Sequence, residues 1–150
     1  MKTIEYLDVD RFMGDWYIIA IIPNLIEKDA YNGIESYSRG KGNKINITYT
    51  FYNRKNGKKR VMHPKGEIYD TATKAEWRVQ FIWPLKFPYL LVDIAPDYRY
   101  ATVGVPNKKY VWIMSRNSQM TEEDYQRALK KLSDLGYDIE KIRKMDQVWE

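Results

Sequence analysis

The residues of this sequence that could carry chemistry are mainly basic and aromatic. Nine of its 25 Lys and Arg residues fall between Arg39 and Lys65, a stretch without Asp or Glu. The remaining residues carry 16 basic and 20 acidic side chains, so this one segment holds more than the whole formal net charge of +5. Such clustering indicates a local electropositive surface on a near-neutral body rather than a uniformly basic coat. We therefore expect no nucleic-acid partner.

Signatures of catalysis are missing from the sequence. The chain has no Cys, which excludes a disulfide framework, a thiolate metal site and a cysteine nucleophile. It also lacks a nucleophile elbow, a phosphate-binding glycine loop and histidine-rich metal spacing, since His63 is its only histidine. Carboxylates are present, but the sequence cannot place two of them across a cleft. The pattern predicts a protein that is not an enzyme and that needs no metal or cofactor.

Aromatic residues are frequent, with 13 Tyr, 5 Trp and 4 Phe, and most lie in alternating stretches. Alternation interrupted by turn residues every 8–12 residues or so is typical of antiparallel barrels and sandwiches. We predict eight strands, at about residues 15–22, 31–39, 44–53, 59–69, 75–82, 89–95, 99–105 and 109–115. The links between the last seven are too short for a crossover helix, which predicts a meander. Asn56-Gly57 is its strongest hairpin signal.

One helix is predicted after the strands. Thr121 suits its N-cap, acidic residues follow, and Gly136 suits the C-terminal stop. The residues that recur at helical spacing between these two are Tyr125, Ala128, Leu129, Leu132 and Leu135. A helix with one apolar stripe must pack on something, here the outside of the sheet. No repeat, linker or long apolar run interrupts the chain, so residues 1–150 are expected to form one soluble domain.

The two ends of the predicted meander carry complementary residues. Trp16 lies near the start of the first strand, and Arg116 follows the eighth. If the sheet closes, these strands are neighbours, and the guanidinium can lie across the indole, a contact worth roughly 0.5–2 kcal/mol. Gly14 lets the chain enter the barrel floor without a Cβ clash. We predict an all-β fold, an eight-stranded antiparallel up-and-down barrel closed by Gly14, Trp16 and Arg116, with one C-terminal α-helix packed outside.

Three motifs, in this order, resemble the conserved regions of the lipocalins: Gly14-Asp15-Trp16-Tyr17, Asp97-Tyr98-Arg99 and Ser115-Arg116. The resemblance covers nearly the whole chain and is greatest to bacterial lipocalins and apolipoprotein D-like proteins. Many relatives carry Glu and a basic residue where this chain has Ile18 and Ile21. The resemblance implies a calyx that binds and transports or stores a small hydrophobic ligand, such as a fatty acid or a lysophospholipid.

The resemblance also assigns the two ends of the barrel. In this family the loops after strands one, three, five and seven ring the open mouth, and the others close the floor. The basic hairpin and the apolar loop at residues 83–88 then both lie at the mouth, where cations beside aromatics suit an anionic headgroup or a membrane surface. The residues expected to make that contact are Arg54, Lys55, Lys58, Lys59, Arg60, Trp83 and Phe87.

Strand alternation predicts which side chains line the calyx. Residues on the faces of Trp16, Arg116 and Trp77 should point inwards, and the seventh strand follows the family register. The predicted ligand-binding residues are Ile18, Ala20, Trp77, Val79, Phe81, Tyr100, Thr102, Tyr110, Trp112 and Met114. Such a pocket is mainly aromatic with a few hydroxyl groups, which fits an acyl chain better than a sugar or a nucleotide.

Two alternatives remain open at this point. A filled barrel could act through its basic hairpin as a module that binds anionic surfaces. A hollow one could be an isomerase or dehydratase for a lipophilic substrate, with Glu35 and His63 as the first candidates. We expect a monomer or a weak dimer. The resemblance implies the bacterial envelope, although the sequence shows neither a signal sequence nor a lipoprotein Cys.

Overall fold

The secondary structure of the protein is mainly β. The computed structural model describes residues 1–82 and 84–149. Within these ranges the strands are Gly14–Ile21 (β1), Ala30–Arg39 (β2), Lys44–Asn53 (β3), Lys59–Met62 (β4), Lys65–Ile68 (β5), Glu76–Ile82 (β6), Leu85–Ile94 (β7), Tyr100–Gly104 (β8), Val111–Ser115 (β9) and Arg143–Lys144 (β10). The helices are Val9–Phe12 (α1), Glu122–Asp134 (α2) and a 3-10 helix, Ile139–Lys141.

The strands form one antiparallel sheet that closes on itself. β1 pairs with β2 at one edge and with β9 at the other, where Tyr17 lies opposite Ser115. β4 and β5 both pair with β3 and are two halves of one barrel strand. That strand breaks at His63-Pro64, because proline has no N–H to donate to the ladder. The predicted closed eight-stranded barrel is confirmed.

Of the two hairpins at the mouth, the one formed by β6 and β7 differs from the prediction. β7 begins at Leu85, so most of the segment expected as an apolar loop extends the β6–β7 hairpin. In the basic hairpin only Gly57 has a positive φ, 67°, and Asn53 N donates to Lys58 O across 3.0 Å. The apolar residues after position 84 therefore lie on an extended strand rather than on a free loop.

The barrel wall separates two apolar clusters, one inside the barrel and one beneath α2. Thr121 is the N-cap of α2, as predicted, and its Oγ1 accepts a hydrogen bond from Asp124 N at 3.1 Å. Ala128 and Leu132 are fully buried against outward-facing residues such as Ile113. The helix is thus held outside the barrel by its apolar stripe. Among the described residues no helix is long and apolar enough to cross a bilayer.

A C-terminal segment fills a seam between β1 and β2. β1 pairs directly with β2 only in its first half, and β10 lies beside its second half. Gln147 Nε2 donates to one backbone carbonyl on each side of the seam, Ile18 at 2.8 Å and Gly33 at 2.9 Å. The side chain of Asn32 exchanges two hydrogen bonds with the backbone of Val148. Residues 143–148 are therefore part of the barrel wall.

Candidate functional site

The end of the barrel at which β1 begins is closed by packed side chains. The Arg116 guanidinium carbon lies 3.8 Å from the ring centroid of Trp16, so the predicted stacking is present. Its nitrogens donate, at 2.8–3.1 Å, to the carbonyls of Arg11, Phe12, Met13 and Asp15. Gly14 has a φ of +100°, and a Cβ there would lie 3.3 Å from Arg116 Nη1. We call Gly14, Trp16 and Arg116 the closed end.

Beyond the closed end, aromatic rings fill the interior. Phe12 of α1, a helix the sequence did not predict, lies with its ring centroid 5.0 Å from that of Tyr37 and 5.7 Å from that of Trp77. Ile18 and Met114 are fully buried in the same cluster. Ile18, Trp77 and Met114 thus point inwards, as predicted. They do not line the cavity described next, because they lie between it and the closed end. We call these five residues the packed half of the interior.

The other half of the interior holds a cavity of about 590 Å³ that opens between the mouth loops. Four of the predicted ligand-binding residues line it, namely Val79, Phe81, Tyr110 and Trp112. Residues that the sequence did not assign to a ligand also line it, among them Leu25, Ile26, Glu27, Tyr49 and Tyr89. The walls are mainly apolar and aromatic with a few polar groups, the usual character of a small-molecule site.

Ala20 does not reach the cavity because β1 is bulged. In the pairing of β1 with β9 the register shifts between Ile18 and Ala20, so Ile19 is an extra residue. The bulge reverses the alternation of the strand, and Ala20 joins Ile19 in the outer cluster beneath α2. The prediction that Ala20 points into the calyx was wrong.

The alternation predicted for β8 was wrong as well. Ala101 and Val103 belong to the interior cluster, and Val103 lies directly opposite Trp112 in β9. Because side chains alternate along a strand, Tyr100 and Thr102 lie on the outer face. The register taken from the family resemblance was one residue off, which exchanges the two faces of the strand.

Glu27, which the sequence did not single out, lines the cavity with its side chain almost fully buried. Its carboxylate accepts hydrogen bonds from the Tyr49 hydroxyl at 2.5 Å, Asn24 Nδ2 at 2.6 Å and Trp112 Nε1 at 3.3 Å. Desolvation raises the pKa of Glu27, because burial penalises the charged form more than these donors stabilise it. A lone acid in an irregular loop carries no periodic signal, so nothing in the sequence marked it.

A second buried carboxylate, Glu35, lies behind the wall of the cavity. Its Oε2 accepts hydrogen bonds from the hydroxyls of Tyr37 at 2.9 Å and Tyr89 at 3.2 Å, and the two hydroxyls contact each other. Desolvation outweighs the hydrogen bond from Tyr37 and, together with the charge of Glu27, raises the pKa of Glu35 to about 7. Tyr89 lines the cavity and connects Glu35 to it.

The basic residues expected at the mouth fall into two groups. Arg54 forms an ion pair with Asp146, and Lys55 Nζ lies 3.6 Å from Asp29 Oδ2. The others are exposed and form no ion pair within residues 1–82 and 84–149; they are Lys58, Lys59 and Arg60. Of these five basic residues, the three without an ion pair therefore lie at the β3–β4 turn and the start of β4.

Apolar side chains surround the entrance of the cavity. Leu25 is 88% exposed, Leu85 58% and Phe87 45%, and all three line the cavity. Trp83, which was expected to join them, lies outside the described residues. Exposed apolar groups at the rim of an apolar cavity provide a path along which a hydrophobic molecule can enter.

A closed up-and-down barrel with one plugged end, an outer helix and an apolar cavity at the other end defines a calyx-type binding protein. A family model described as a lipocalin-like domain matches residues 7–147. The chain therefore belongs to the lipocalin family, which confirms the resemblance found in its motifs. Proteins of this family typically bind small hydrophobic ligands.

Relatives agree with this assignment, and solved structures agree with the fold. Temperature-induced lipocalin-1 of Arabidopsis thaliana is 32% identical over 160 residues, covering 98% of this chain and 83% of the relative. Outer membrane lipoprotein Blc of Escherichia coli K12 is 27% identical over 142 residues, covering 95% and 80%. Insecticyanin from the tobacco hornworm has the same fold, with a TM-score of 0.76 at 24% identity and coverage of 99% and 85%. Lobster apocrustacyanin A1 does too, with a TM-score of 0.78 at 15% identity and coverage of 95% and 81%.

Proposed function

We propose that the protein binds a single-chain amphiphile, of the size of a fatty acid or a lysophospholipid, and transports or stores it in the cavity. The observation that carries the proposal is the cavity of about 590 Å³ with its apolar and aromatic walls. This volume falls within the roughly 300–1,000 Å³ of small-molecule sites. Burial of about ten methylenes would contribute on the order of 8 kcal/mol before the costs of binding.

The mouth supports uptake from a surface that carries negative charge. Lys58, Lys59 and Arg60 are exposed there, and Leu25 and Phe87 line the entrance. Positive charge raises the local concentration of anionic partners, and exposed apolar side chains can enter the boundary of a lipid surface. Attraction of the mouth to an anionic lipid surface would then bring the cavity to its ligand, which is buried in a second step.

Lipid binding can be tested on protein purified without detergent. Native mass spectrometry should detect a co-purified lipid, and a fluorescent fatty acid should bind saturably and quench tryptophan emission. Trp112→Ala should weaken that binding about tenfold or more, because the indole forms part of the cavity wall. Tyr69→Ala is the matched control, since Tyr69 is exposed and packs on Arg78. If no lipid is retained and no saturable binding or quenching is seen, the proposal is wrong.

A second candidate is a module that binds anionic surfaces through the mouth alone, favoured by the unpaired charges of Lys58, Lys59 and Arg60. It predicts binding to anionic vesicles that falls steeply with salt and is lost in Lys58→Glu/Lys59→Glu. Lys41→Glu/Lys44→Glu makes the same charge change at the β2–β3 turn and should leave vesicle binding intact. This candidate fails if Trp112→Ala abolishes binding while Lys58→Glu/Lys59→Glu preserves it.

Catalysis is not part of the proposal. His63 is exposed, with its Nδ1 3.5 Å from Thr48 Oγ1, and Met62 beside it is the residue that faces the cavity. Glu35 reaches the cavity only through Tyr89. Glu35→Gln should therefore leave any turnover of a lipophilic substrate unchanged, and a loss of turnover in that variant would reopen the isomerase or dehydratase alternative.

The location is proposed from similarity alone. Outer membrane lipoprotein Blc is named for its place in the bacterial envelope, and it is similar over 95% of this chain. We infer an envelope location for this protein, which fits a carrier that meets lipid surfaces. Fractionation of the native host with an antibody against this chain tests it, and recovery in the cytosolic fraction contradicts it.

A further inference from the structure

The charge inside the cavity has the opposite sign to the charge at its mouth. Glu27 is acidic and lines the cavity, whereas none of the described lining residues is Lys, Arg or His. Its three hydrogen-bond donors, on Asn24, Tyr49 and Trp112, are all neutral. A buried carboxylate without a cationic partner is costly, and groups in such environments cluster at functional sites.

The loop before β2 directs this carboxylate into the barrel. Asn24 Oδ1 accepts hydrogen bonds from the backbone N–H groups of Ile26 and Glu27, both at 2.9 Å. Asn24 Nδ2 then donates to Glu27 Oε1 at 2.6 Å. The turn thus holds both the backbone and the side chain of Glu27, while Ile26 packs on the interior cluster. The carboxylate is a built part of the wall and not a surface acid that happens to fold inwards.

The weakest of the three hydrogen bonds to this carboxylate leaves a place for a stronger donor. Asn24 bonds to Oε1 at 2.6 Å and Tyr49 to Oε2 at 2.5 Å, whereas the Trp112 N–H is shared between the two oxygens at 3.4 and 3.3 Å, and an ionised carboxylate offers about four lone-pair positions. A charged donor would form a stronger hydrogen bond than any of these and would supply the missing countercharge. Glu35, buried behind Tyr89, adds a second negative charge to the same region when ionised.

Several aromatic rings line the cavity together with Glu27. Trp112 bonds to Glu27, and its ring centroid lies 5.8 Å from that of Tyr89, 6.4 Å from Phe81 and 6.5 Å from Tyr110. The faces of such rings attract cations, most strongly when water is excluded. One carboxylate among several rings is a chemical environment suited to an ammonium group.

We propose that, among the single-chain amphiphiles of the proposed function, the cavity selects those that carry an ammonium group, bound to the Glu27 carboxylate on the cavity side and beside the faces of the neighbouring aromatic rings. This inference rests on the proposed function. A ligand carboxylate in the same position would meet the charge of Glu27 without a cation between them. The formal net charge of +5 favours anionic ligands overall, so a preference for an amine must arise locally.

Three probes of equal chain length test this selectivity: dodecylamine, dodecanol and dodecanoate. Each is titrated below its micellar concentration, with tryptophan emission and calorimetry as readouts. Dodecylamine should bind tightest and dodecanoate weakest, with a difference of about tenfold to a hundredfold, the size expected of one charge-assisted hydrogen bond. Equal binding, or tighter binding of dodecanoate, overturns the inference and leaves the proposed function standing. Absence of saturable binding by all three overturns both.

Substitution of Glu27 tests whether this residue causes the preference for the amine over the carboxylate probe. Glu27→Gln should reduce the ratio of amine to carboxylate affinity to near one, because it removes the charge and keeps the shape. Glu67→Gln, an equal charge change at an exposed residue of β5, should leave the ratio unchanged. A preference that persists in folded Glu27→Gln overturns the assignment to Glu27. If that variant does not fold, the order of the three probes on the unmodified protein still decides the question.

Discussion

The packed half and the cavity half of this barrel have similar walls but different contents. Strands supply inward-facing aromatic residues to both, such as Trp77 in one and Trp112 in the other. In the packed half, α1 inserts Phe12 among the rings. In the cavity half, the loop before β2 only borders the space and contributes Glu27 to its wall. Alternation along the strands thus determines which side chains point into the barrel. Segments outside the strands, α1 and the loop before β2, determine whether the space between those side chains is filled or remains a cavity.

The largest expected difference between the halves is the loss of stability when a tryptophan is replaced by alanine. Trp77→Ala should lower the free energy of unfolding by about 3–5 kcal/mol, because the ring is fully buried among close neighbours. Trp112→Ala should cost roughly half of that or less, since one side of the ring already faces the cavity. Urea denaturation measures both. Equal costs would mean that the cavity half is packed as tightly as the other.

Glu35, which lies between the halves, should make stability depend on pH. Its pKa of about 7 in the folded protein exceeds the ordinary value of 4.5, so folding retains a proton that the unfolded chain releases. The contribution of this proton to the free energy of unfolding is complete below pH 4.5. It decreases by about 3 kcal/mol as the pH rises through 7. Glu35→Gln should therefore gain stability relative to the parent between pH 4.5 and 7.5, measured by urea denaturation at each pH. A constant difference between the two proteins would show that Glu35 is not shifted.

The closed end can be perturbed without touching the cavity. Gly14→Ala should cost about 1–3 kcal/mol, because φ is +100° and the new Cβ would crowd Arg116. Gly42→Ala is a control for the backbone contribution alone, since Gly42 has a φ of +62° with no atom within 4 Å of the added Cβ. Thermal unfolding compares the two. Binding of the fluorescent fatty acid should be unchanged in both, and a loss in Gly14→Ala would show that the two ends are coupled.

The smallest expected effect concerns Thr102, which tests the assignment of the inner and outer faces of β8. Thr102 is fully buried on the outer face, and its hydroxyl has no hydrogen-bond partner among the described residues. Thr102→Val should leave the protein as stable or more stable by up to about 1 kcal/mol, because an unsatisfied polar group is removed. Ligand affinity should not change. A weaker affinity in this variant would place Thr102 on the cavity side after all.

The fold could be predicted because its signals are local or repeat at a fixed period. Thr121 marks the start of α2, and regular alternation gave the correct inward direction of Val79 and Phe81. Trp16 and Arg116 indicated closure, since only neighbouring strands allow them to stack. These features depend on residue type and spacing, which can be read without knowledge of the rest of the chain.

The site was only partly predictable, because several of its determinants leave no such signal. Residues 18–22 are all apolar, so no alternation reveals the bulge at Ile19 or the outward turn of Ala20. In β8 the small Ala101 takes the interior position beside the larger Tyr100, against what size alone would favour. Glu27 lies in a loop whose path into the barrel depends on its hydrogen bonds to Tyr49 and Asn24.

The seam filled by residues 143–148 affects how the protein is made. The carbonyls of Ile18 and Gly33 have Gln147 as their partner, so this part of the wall cannot be completed until residue 147 has left the ribosome, 114 residues after Gly33. Contacts this distant in sequence form late and slowly. Until then, backbone groups of β1 and β2 at the seam lack their partners and are exposed to other chains. A chain that ends before residue 143 would form a barrel whose seam stays open.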